Sequence, residues 1–423
     1  MLKKDFLVEI GTEELPPKAL LKLSKSFQAG VVDGLKKESL SYTDVRAFAT
    51  PRRLALLVSQ LDEKQEDKQT DKFGPAVKAA FDGEGNPTRA ASGFAKSCGV
   101  EVSDLGTAEK DGVEKLSYSS TQPGKSTTQL LPSIIDTALA KLPIPKRMRW
   151  GASRDEFVRP VHWVVLLFGN EVVKTTILGV ESGMETLGHR FHYPEKIKIS
   201  NPGDYESLLE NPGNVIVDFA RRREIIRSAI VAEGEKLNAS TVVDEALLDE
   251  VTSLVEYPVA LTGRFDELFL DVPSEALILA MKSHQKCFYL LDKDQKLLPY
   301  FVTVSNIRST DPAQVIEGNE RVIRPRLADA KFFYETDQNS SLESRLEQLK
   351  KVVFQEKLGT VYERSVRVAK LAAFIAKYSG EDESQAPRAA MLSKCDLVSN
   401  MVGEFADLQG LMGSYYARND GEP

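Results

Sequence analysis

Basic side chains cluster at four places in this chain, and they are the residues best suited to bind an anionic partner. The clusters are Arg52-Arg53, Lys146-Arg147-Met148-Arg149-Trp150, Arg221-Arg222-Arg223 with Arg227, and Arg321, Arg324 and Arg326. Guanidinium groups bind phosphate oxygens through paired N–H donors, and a neighbouring aromatic ring can stack on a base or a ribose. The second and fourth clusters favour phosphate binding most, because one adds Trp150 and the other follows a predicted helix to Pro325. Any single cluster is also typical of a solvated face with salt bridges.

Residues that could act as nucleophiles or metal ligands are few. His189 and His192 are three apart, but the glycine before them and the proline after them predict a strand or loop rather than a metal-binding helix. Arg190 between them could instead contact a phosphate. His284 and Cys287 are more typical of a polar surface cluster than of a catalytic pair. We therefore predict neither a catalytic residue nor a metal site.

Two loops match ligand-binding motifs only in part. In residues 122–127 (QPGKST) a phosphate loop would need another glycine, separated from the Gly-Lys pair by four residues, and Ser119 occupies that place. Residues 82–86 (DGEGN) would need Gly and Glu where Pro87 and Gly93 stand, so they do not fit a calcium loop. We predict a turn followed by a helix cap for the first loop and a glycine-rich turn for the second.

The composition excludes several classes of protein. The chain has 423 residues, 42% of them apolar, and 55 Lys and Arg against 62 Asp and Glu give a formal net charge of −7. This is a globular composition with room for about two to four domains. Three widely spaced cysteines suit a reducing cytosol, the N-terminus is too acidic for a signal peptide, and no apolar run approaches about 18 residues. We expect a cytoplasmic protein that contacts no membrane. The net charge disfavours a surface coated with nucleic acid but not local basic patches.

Periodicity places the basic clusters on a mixed α/β region that is followed by helices. The main predicted strands are 5–10, 45–49, 54–61, 161–168, 172–180 and 215–219, with hairpins at Gly169-Asn170 and across 288–304. Predicted helices before residue 311 are 17–40, 126–142, one from 221 to about 237 and one capped by Asp244. After about residue 311 we predict helices only, at 312–336, 341–355, 357–379, 385–402 and 403–417.

The predicted fold class is therefore α+β, in a multi-domain chain. Residues 1–65 form an N-terminal α+β unit, and residues 66–310 form a mixed α/β region that could itself divide near residue 200. Residues 311–423 form an all-helical domain. The polar segment 62–74 is predicted to be solvated and extended, or a linker.

Eight stretches of sequence carry a resemblance to a known family. They are FLVEIGTEELPP (6–17), TPRRL (50–54), LPIPKRMRWG (142–151), FVRPVH (157–162), GHRF (188–191), SLVEYP (253–258), GNERVIRPRLADAKFF (318–333) and LSKCDLVSNMVGEFADLQGLMG (392–413). With them the chain resembles the β subunit of the bacterial two-subunit glycyl-tRNA synthetase from its N-terminus to its last residues. No single stretch would suffice alone.

The resemblance implies a subunit of glycine–tRNA ligase, an aminoacyl-tRNA synthetase, that contains no complete active site. In that family a separate α subunit makes glycyl-adenylate from glycine and ATP, and the β subunit binds tRNA(Gly) in an α2β2 assembly. We therefore expect this chain to bind no cofactor itself, since the α subunit uses ATP and Mg²⁺. The candidate tRNA contacts are Arg52, Arg53, Lys146, Arg147, Arg149, Arg321, Arg324 and Arg326.

The resemblance also implies a fold for each region. The mixed α/β region is distantly similar to the tRNA-editing region of the phenylalanyl-tRNA synthetase β subunit, and the helical domain resembles the HD superfamily of metal phosphohydrolases. Lys394-Cys395-Asp396 stands where that superfamily has its His-Asp pair, and the domain contains no histidine. We expect an HD-like fold without metal ligands.

A tRNA-editing hydrolase or an HD-type phosphohydrolase is the alternative function. Editing is less necessary for glycine, because a synthetase can exclude every larger amino acid sterically. The family continues past this point to an anticodon-binding domain, whereas this chain stops at Pro423. We therefore expect a C-terminally truncated piece or a shortened protein, to which anticodon reading should not be assigned.

Overall fold

A computed structural model describes residues 2–423, which divide into two units. The first unit holds the residues up to 188 together with 194–213, and the second holds 189–193 together with 214–423. The chain is mixed α/β, as predicted. Within residues 2–423 no helix is both long and apolar enough to cross a membrane. The finer division into domains at residues 65 and 310 stays a prediction.

The first unit contains most of the strands. In chain order these are β1 (Lys3–Thr12), β2 (Asp44–Thr50), β3 (Arg53–Asp62), β4 (Lys68–Ala76), β5 (Gly106–Lys110), β6 (Val113–Gln122), β7 (Val161–Phe168), β8 (Glu171–Val172), β9 (Thr176–Ile177), β10 (Val180–Gly183), β11 (Glu185–Leu187) and β12 (Lys196–Lys198). Its helices are α1 (Pro17–Lys37), α2 (Val77–Ala80), α3 (Arg89–Cys98), α4 (Thr127–Ala140) and α5 (Tyr205–Glu210).

The main sheet of this unit has the strand order β2-β3-β1-β7-β10-β9, with β8 paired to β7. Neighbours are antiparallel except β7 and β10, which run parallel. β1, β3 and β7 are buried along most of their length, which is typical of strands covered on both faces. α1 packs against β2, β3 and α4 and buries Leu20, Leu23, Phe27, Val31 and Leu35 at helical spacing. Because β7 pairs with β1, residues 1–65 share their sheet with a strand from much later in the chain.

A second, smaller sheet in this unit has the order β4-β6-β5. β4 occupies the polar segment that we predicted to be solvated and extended, and most of its residues are exposed. A small core of Ala80, Ala91 and Leu116 holds α2 and α3 against this sheet. The loop before α4 ends in the predicted helix cap, where Ser126 forms a capping box with Gln129. The loop before α3 is a turn, as predicted, and the Asp82 carboxylate accepts backbone N–H bonds within it.

The second unit contains fewer strands and more helices. Its strands are β13 (Ser240–Thr241), β14 (Val259–Arg264), β15 (Phe288–Leu291), β16 (Leu297–Ser305), β17 (Val353–Gln355) and β18 (Gly359–Thr360). Its helices are α6 (Phe219–Glu235), α7 (Glu245–Thr252), α8 (Ser274–Gln285), α9 (Pro312–Gln338), α10 (Leu346–Leu349), α11 (Val361–Ser379), α12 (Gln385–Leu392), α13 (Asn400–Glu404) and α14 (Leu411–Asn419).

Two apolar cores hold this unit together. A sheet with the order β13-β15-β16-β14 packs against α6 and α7 through residues such as Ile226, Leu248 and Val302. The larger core joins α8 to the helices after residue 311, with Leu277, Leu327 and other fully buried residues at its centre. The predicted second hairpin across 288–304 is confirmed as β15 and β16, and Asp244 caps α7 as predicted.

Three predictions about these elements are wrong. Residues 215–219 form no strand, although Val215 and Val217 are buried as in a strand, because no neighbouring strand pairs with them. The region after residue 311 is not purely helical, since β17 and β18 form a short antiparallel pair. The long helices predicted for 341–355, 385–402 and 403–417 are instead short helical segments joined by turns.

Candidate nucleic-acid interface

Arg53 is fully buried in the first unit beside Glu9, which is also fully buried. Its Nη1 atom lies 3.8 Å from Glu9 Oε2, and its guanidinium donates to the hydroxyl of Thr186 at 3.4 Å and the carbonyl of Leu187 at 3.1 Å. Glu9 in turn accepts hydrogen bonds from three side chains, the indole of Trp163 and the hydroxyls of Thr186 and Tyr205. Burial, and then the charge of Glu9, raise the pKa of Tyr205 well above its usual value. This environment supports a structural role for Arg53, because its side chain exposes no surface to a partner.

Arg52 is half-buried, and its guanidinium lies 5.5 Å from the centre of the Trp163 ring. Its backbone carbonyl accepts a hydrogen bond from Thr12 N at 2.8 Å, which ties the turn between β2 and β3 to the end of β1. The two neighbouring arginines therefore differ, and Arg52 alone of the pair reaches the surface.

The cluster at 146–150 lies on an irregular segment that follows α4. Met148 and Phe157 form an isolated antiparallel bridge, and the side chains on either side of Met148 point toward Glu156. Arg147 donates to the Ala140 carbonyl at 2.9 Å and so satisfies a free backbone acceptor at the end of α4.

Arg149 forms an ion pair with Glu156 at 2.6 Å, although its side chain remains largely exposed. Lys146 is exposed and has no hydrogen bond or ion pair to any of residues 2–423. In this cluster Lys146 and Arg149 are therefore the cations available to a phosphate. Arg147 instead stabilises the end of α4.

The arginines at 321, 324 and 326 lie on the exposed part of α9. The helix advances about 100° per residue, so Arg321 and Arg324 are about 60° apart around the axis, whereas Arg326 is about 160° from Arg324. Arg321 pairs with Glu317 one turn earlier at 2.6 Å. Arg324 lines a cleft of about 330 Å³ that also contains Glu320 and other acidic side chains. α9 thus offers cations in two directions rather than one continuous patch.

The cluster at 221–227 is largely paired within its own unit. Arg222 is fully buried and donates to the carbonyl oxygens of Ile216 and Thr252 at 2.5 and 3.2 Å. Arg223 and Arg227 both pair with the Glu245 carboxylate on α7. These arginines join α6 to α7. This is the salt-bridged face that the sequence analysis gave as the alternative to phosphate binding.

The loop at 189–193 brings together residues that sequence reasoning had treated singly. His189 is fully buried and its ring lies 4.8 Å from that of His192. The segment is a loop, one of the two predicted alternatives. The Tyr257 ring packs at 5.1 Å from His192, and the guanidinium of Arg308 lies 5.5 Å from the Tyr257 ring. Sequence reasoning missed Tyr257 and Arg308, because only the tertiary fold places them beside the loop.

The prediction of a polar surface cluster at His284 and Cys287 is wrong for the cysteine. Cys287 is fully buried in the larger core of the second unit, whereas His284 lies on the exposed end of α8, with its ring 6.0 Å from that of Phe405. Burial raises the pKa of Cys287 to about 12. The thiolate needed for nucleophilic attack is therefore strongly disfavoured at neutral pH.

The Lys394-Cys395-Asp396 segment contributes to packing. Asp396 is fully buried, and its Oδ2 atom accepts hydrogen bonds from the backbone N–H groups of Gly410 and Gly413, at the start of α14. Burial, followed by the charge of Asp396, raises the pKa of Cys395 to about 12. Among residues 2–423 no group of three or more His, Cys, Asp or Glu side chains could hold a metal ion.

Comparison with known proteins places this sequence in a family. A sequence profile described as the glycyl-tRNA synthetase beta subunit matches residues 6–423. The chain belongs to the glycyl-tRNA synthetase beta subunit family. Curated glycine–tRNA ligase beta subunits from Marinobacter nauticus, Pseudomonas entomophila and Hahella chejuensis are 54%, 54% and 53% identical to it. Each alignment covers all 423 residues of this chain and 61% of the relative.

The glycyl-tRNA synthetase beta subunits that match are therefore longer than this chain. The chain spans about 61% of the length of these curated relatives. Membership in the family does not by itself assign a contact to any exposed arginine.

Proposed function

We propose that this chain is a non-catalytic, tRNA-binding part of glycine–tRNA ligase. The observation that carries the proposal is the match to the glycyl-tRNA synthetase beta subunit family over residues 6–423. A separate α subunit makes glycyl-adenylate with ATP and Mg²⁺, and this chain supports transfer of glycine to tRNA(Gly). The pair assembles as α2β2 in the cytoplasm.

Exposed cations on both units support the tRNA-binding part of the proposal. Lys146 and Arg149 on the first unit, and Arg321, Arg324 and Arg326 on the second, are exposed to solvent. Phosphate contacts contribute much of the affinity of a protein for nucleic acid, and they need no continuous groove. Arg52 is the remaining candidate, whereas Arg53 and Arg147 are engaged by the fold.

The proposal extends to the fold of each region. The mixed α/β region would share the architecture of a tRNA-editing region, and the helices after residue 311 would share that of an HD domain without its reaction. The second part is supported by Asp396, which binds backbone N–H groups of its own domain. Burial raises the pKa of Cys395 beside it to about 12, so its thiol is protonated at neutral pH.

Reconstitution with the α subunit tests the proposal. The purified chain is incubated with glycine, ATP, Mg²⁺ and tRNA(Gly), with and without the α subunit, and both glycyl-adenylate and glycyl-tRNA are measured. We expect no adenylate from the chain alone, a direct complex with tRNA in a binding assay, and co-purification with the α subunit. Adenylate formation by the chain alone, or no binding to either partner, would contradict the proposal.

A further inference from the structure

Phe191 is a large aromatic side chain that is exposed to solvent. It is 71% exposed, although it lies in the short loop 189–193 next to the fully buried His189. Exposure of single apolar residues is common and needs no explanation. Phe191 differs because its loop is fixed by buried groups and because its neighbours are aromatic or cationic.

His189 fixes the backbone of this loop from inside the second unit. Its Nδ1 atom accepts hydrogen bonds from Phe191 N and His192 N, both at 3.2 Å, and its carbonyl accepts one from Tyr193 N at 2.9 Å. Burial lowers the pKa of His189, which keeps the imidazole neutral and Nδ1 free to accept. The loop is thus held in one shape before any partner arrives, and a held shape reduces the entropy cost of binding.

A second wall of the site comes from two other segments of the same unit. The Arg308 backbone N–H donates to His192 Nε2 at 2.9 Å, and the Arg308 guanidinium lies 5.5 Å from the centre of the Tyr257 ring. The Asn306 side chain accepts from Glu256 N and Tyr257 N at 2.7 and 3.1 Å, which positions Tyr257. Arg308 is exposed, so its charge faces solvent beside the aromatic groups.

These groups fit an unpaired nucleotide better than an apolar protein surface. Every base has a face that stacks on an aromatic ring, and a guanidinium beside the ring can bind the attached phosphate. The residues flanking Phe191 in the loop are Arg190, His192 and Tyr193, and none of them is aliphatic. A hydrophobic protein contact would need a broader apolar patch than one phenyl ring provides.

We infer that Phe191, with Arg308, binds an unpaired nucleotide of RNA by stacking its base on Phe191 and contacting its phosphate through the Arg308 guanidinium. The inference rests on the proposed function, since tRNA is the RNA that this chain would meet. It names a site that none of the eight candidate tRNA contacts includes. The buried His189 acts as a positioning residue and does not touch the nucleotide.

Direct binding measurements test the site. The 423-residue chain and its Phe191→Ala, Phe191→Trp and Arg308→Ala variants are titrated with fluorescein-labelled tRNA(Gly) and with a labelled single-stranded tetranucleotide, at several salt concentrations. We expect Phe191→Ala to lose about tenfold in affinity for both RNAs, which is typical of one lost stacking contact. Phe191→Trp should retain affinity, because it restores the stacking surface. Arg308→Ala should reduce the salt dependence by about one phosphate contact.

A matched control removes another exposed phenyl ring elsewhere. Phe374 on α11 is 59% exposed, so Phe374→Ala should leave RNA affinity unchanged. Wild-type affinity of Phe191→Ala for tRNA, in a chain that binds tRNA, would overturn the inference while leaving the proposed function intact. Loss of α-subunit binding instead of RNA binding would also overturn it, because the surface would then be a protein contact. No tRNA binding by the wild-type chain would overturn the proposed function first, and this inference with it.

Discussion

Arg53 and Glu9 are charged side chains without exposed surface, and each depends on the other to remain buried. Removing one partner of a buried ion pair leaves an uncompensated charge, which typically costs about 3–5 kcal/mol. We therefore expect Arg53→Ala to lower the free energy of unfolding by that amount, measured by urea denaturation. Arg52→Ala is the matched control, and it should lose much less because Arg52 is only half-buried. An Arg53→Ala variant with normal stability and weakened tRNA binding would instead support Arg53 as a tRNA contact.

Sequence spacing identified Arg53 as a cation but could not show that it is buried. The informative residue was Glu9, a carboxylate inside the apolar run of β1, since a buried charge needs a partner. The strand register supplies that partner, because Glu9 faces Ala55 and Gly11 faces Arg53, which places Arg53 diagonally next to Glu9. This register is a tertiary fact, so the pairing could be suspected from sequence but not assigned.

The three cysteines should differ sharply in reactivity. The pKa values of Cys287 and Cys395 are raised to about 12, mainly by burial, whereas Cys98 is partly exposed. Since the thiolate is the reactive form, we expect only Cys98 to react quickly with an aromatic disulfide reagent at pH 8. In urea all three should react. Rapid reaction of Cys287 in the native chain would contradict its burial. It would also make Cys287 a candidate nucleophile beside His284.

At the scale of elements, α6 and α7 are joined by ion pairs that should respond to acid. Hydrogen bonds from Arg227 and then Arg223 lower the pKa of Glu245 from 4.5 to about 2. Because the folded-state pKa is the lower one, the unfolded chain binds more protons between pH 4.5 and 2, so the stabilisation is present above pH 4.5 and is lost as pH falls. The stability difference between the wild type and Glu245→Gln should therefore be constant above about pH 5 and shrink below it. A difference that does not change with pH would contradict these pairs.

α11 exposes apolar side chains to solvent, and they are Val368, Leu371, Phe374, Ile375 and Tyr378. In this chain they contribute little to the folded state, so we expect Leu371→Ala to change the free energy of unfolding by no more than about 0.5 kcal/mol. The same substitution at the fully buried Leu327 of α9 should cost about 2–5 kcal/mol. Thermal or urea unfolding of both variants gives the comparison. A large loss at Leu371 would show that the α11 face is covered in solution.

The predictability of each element followed from what stabilises it. α1 and α9 were predicted closely because each has a full apolar period and a start signal in its own sequence, such as the proline at the first turn of α1. Residues 215–219 alternate like a strand, but a strand also requires a partner, which local sequence does not reveal. The pair of β17 and β18 was missed because its strands are only three and two residues long, which is too short to show an alternating pattern.

At the scale of the whole chain, the net charge of −7 hides a local distribution of cations. Many arginines are matched by carboxylates of their own unit, as Arg223 and Arg227 are by Glu245 and Arg388 is by Glu343 and Glu422. Lys146, Arg324 and Arg326 have no such ion pair within residues 2–423. The net charge therefore governs solubility and long-range repulsion of RNA. The proposed tRNA binding depends instead on exposed cations, whether they lack an ion pair, as Arg324 does, or form an exposed one, as Arg321 does with Glu317.

Charge reversal on α9 separates these two effects. Arg321→Glu with Arg324→Glu should weaken tRNA binding and make the logarithm of affinity fall less steeply with the logarithm of salt concentration, because about two phosphate contacts are lost. Lys37→Glu with Lys64→Glu changes the net charge by the same amount at two exposed lysines outside the candidate contacts. This control should lower affinity modestly and leave the salt slope unchanged, since a general repulsion removes no contact. Equal slopes in the two double variants, both folded by circular dichroism, would show that the α9 arginines act only through long-range charge and make no phosphate contact.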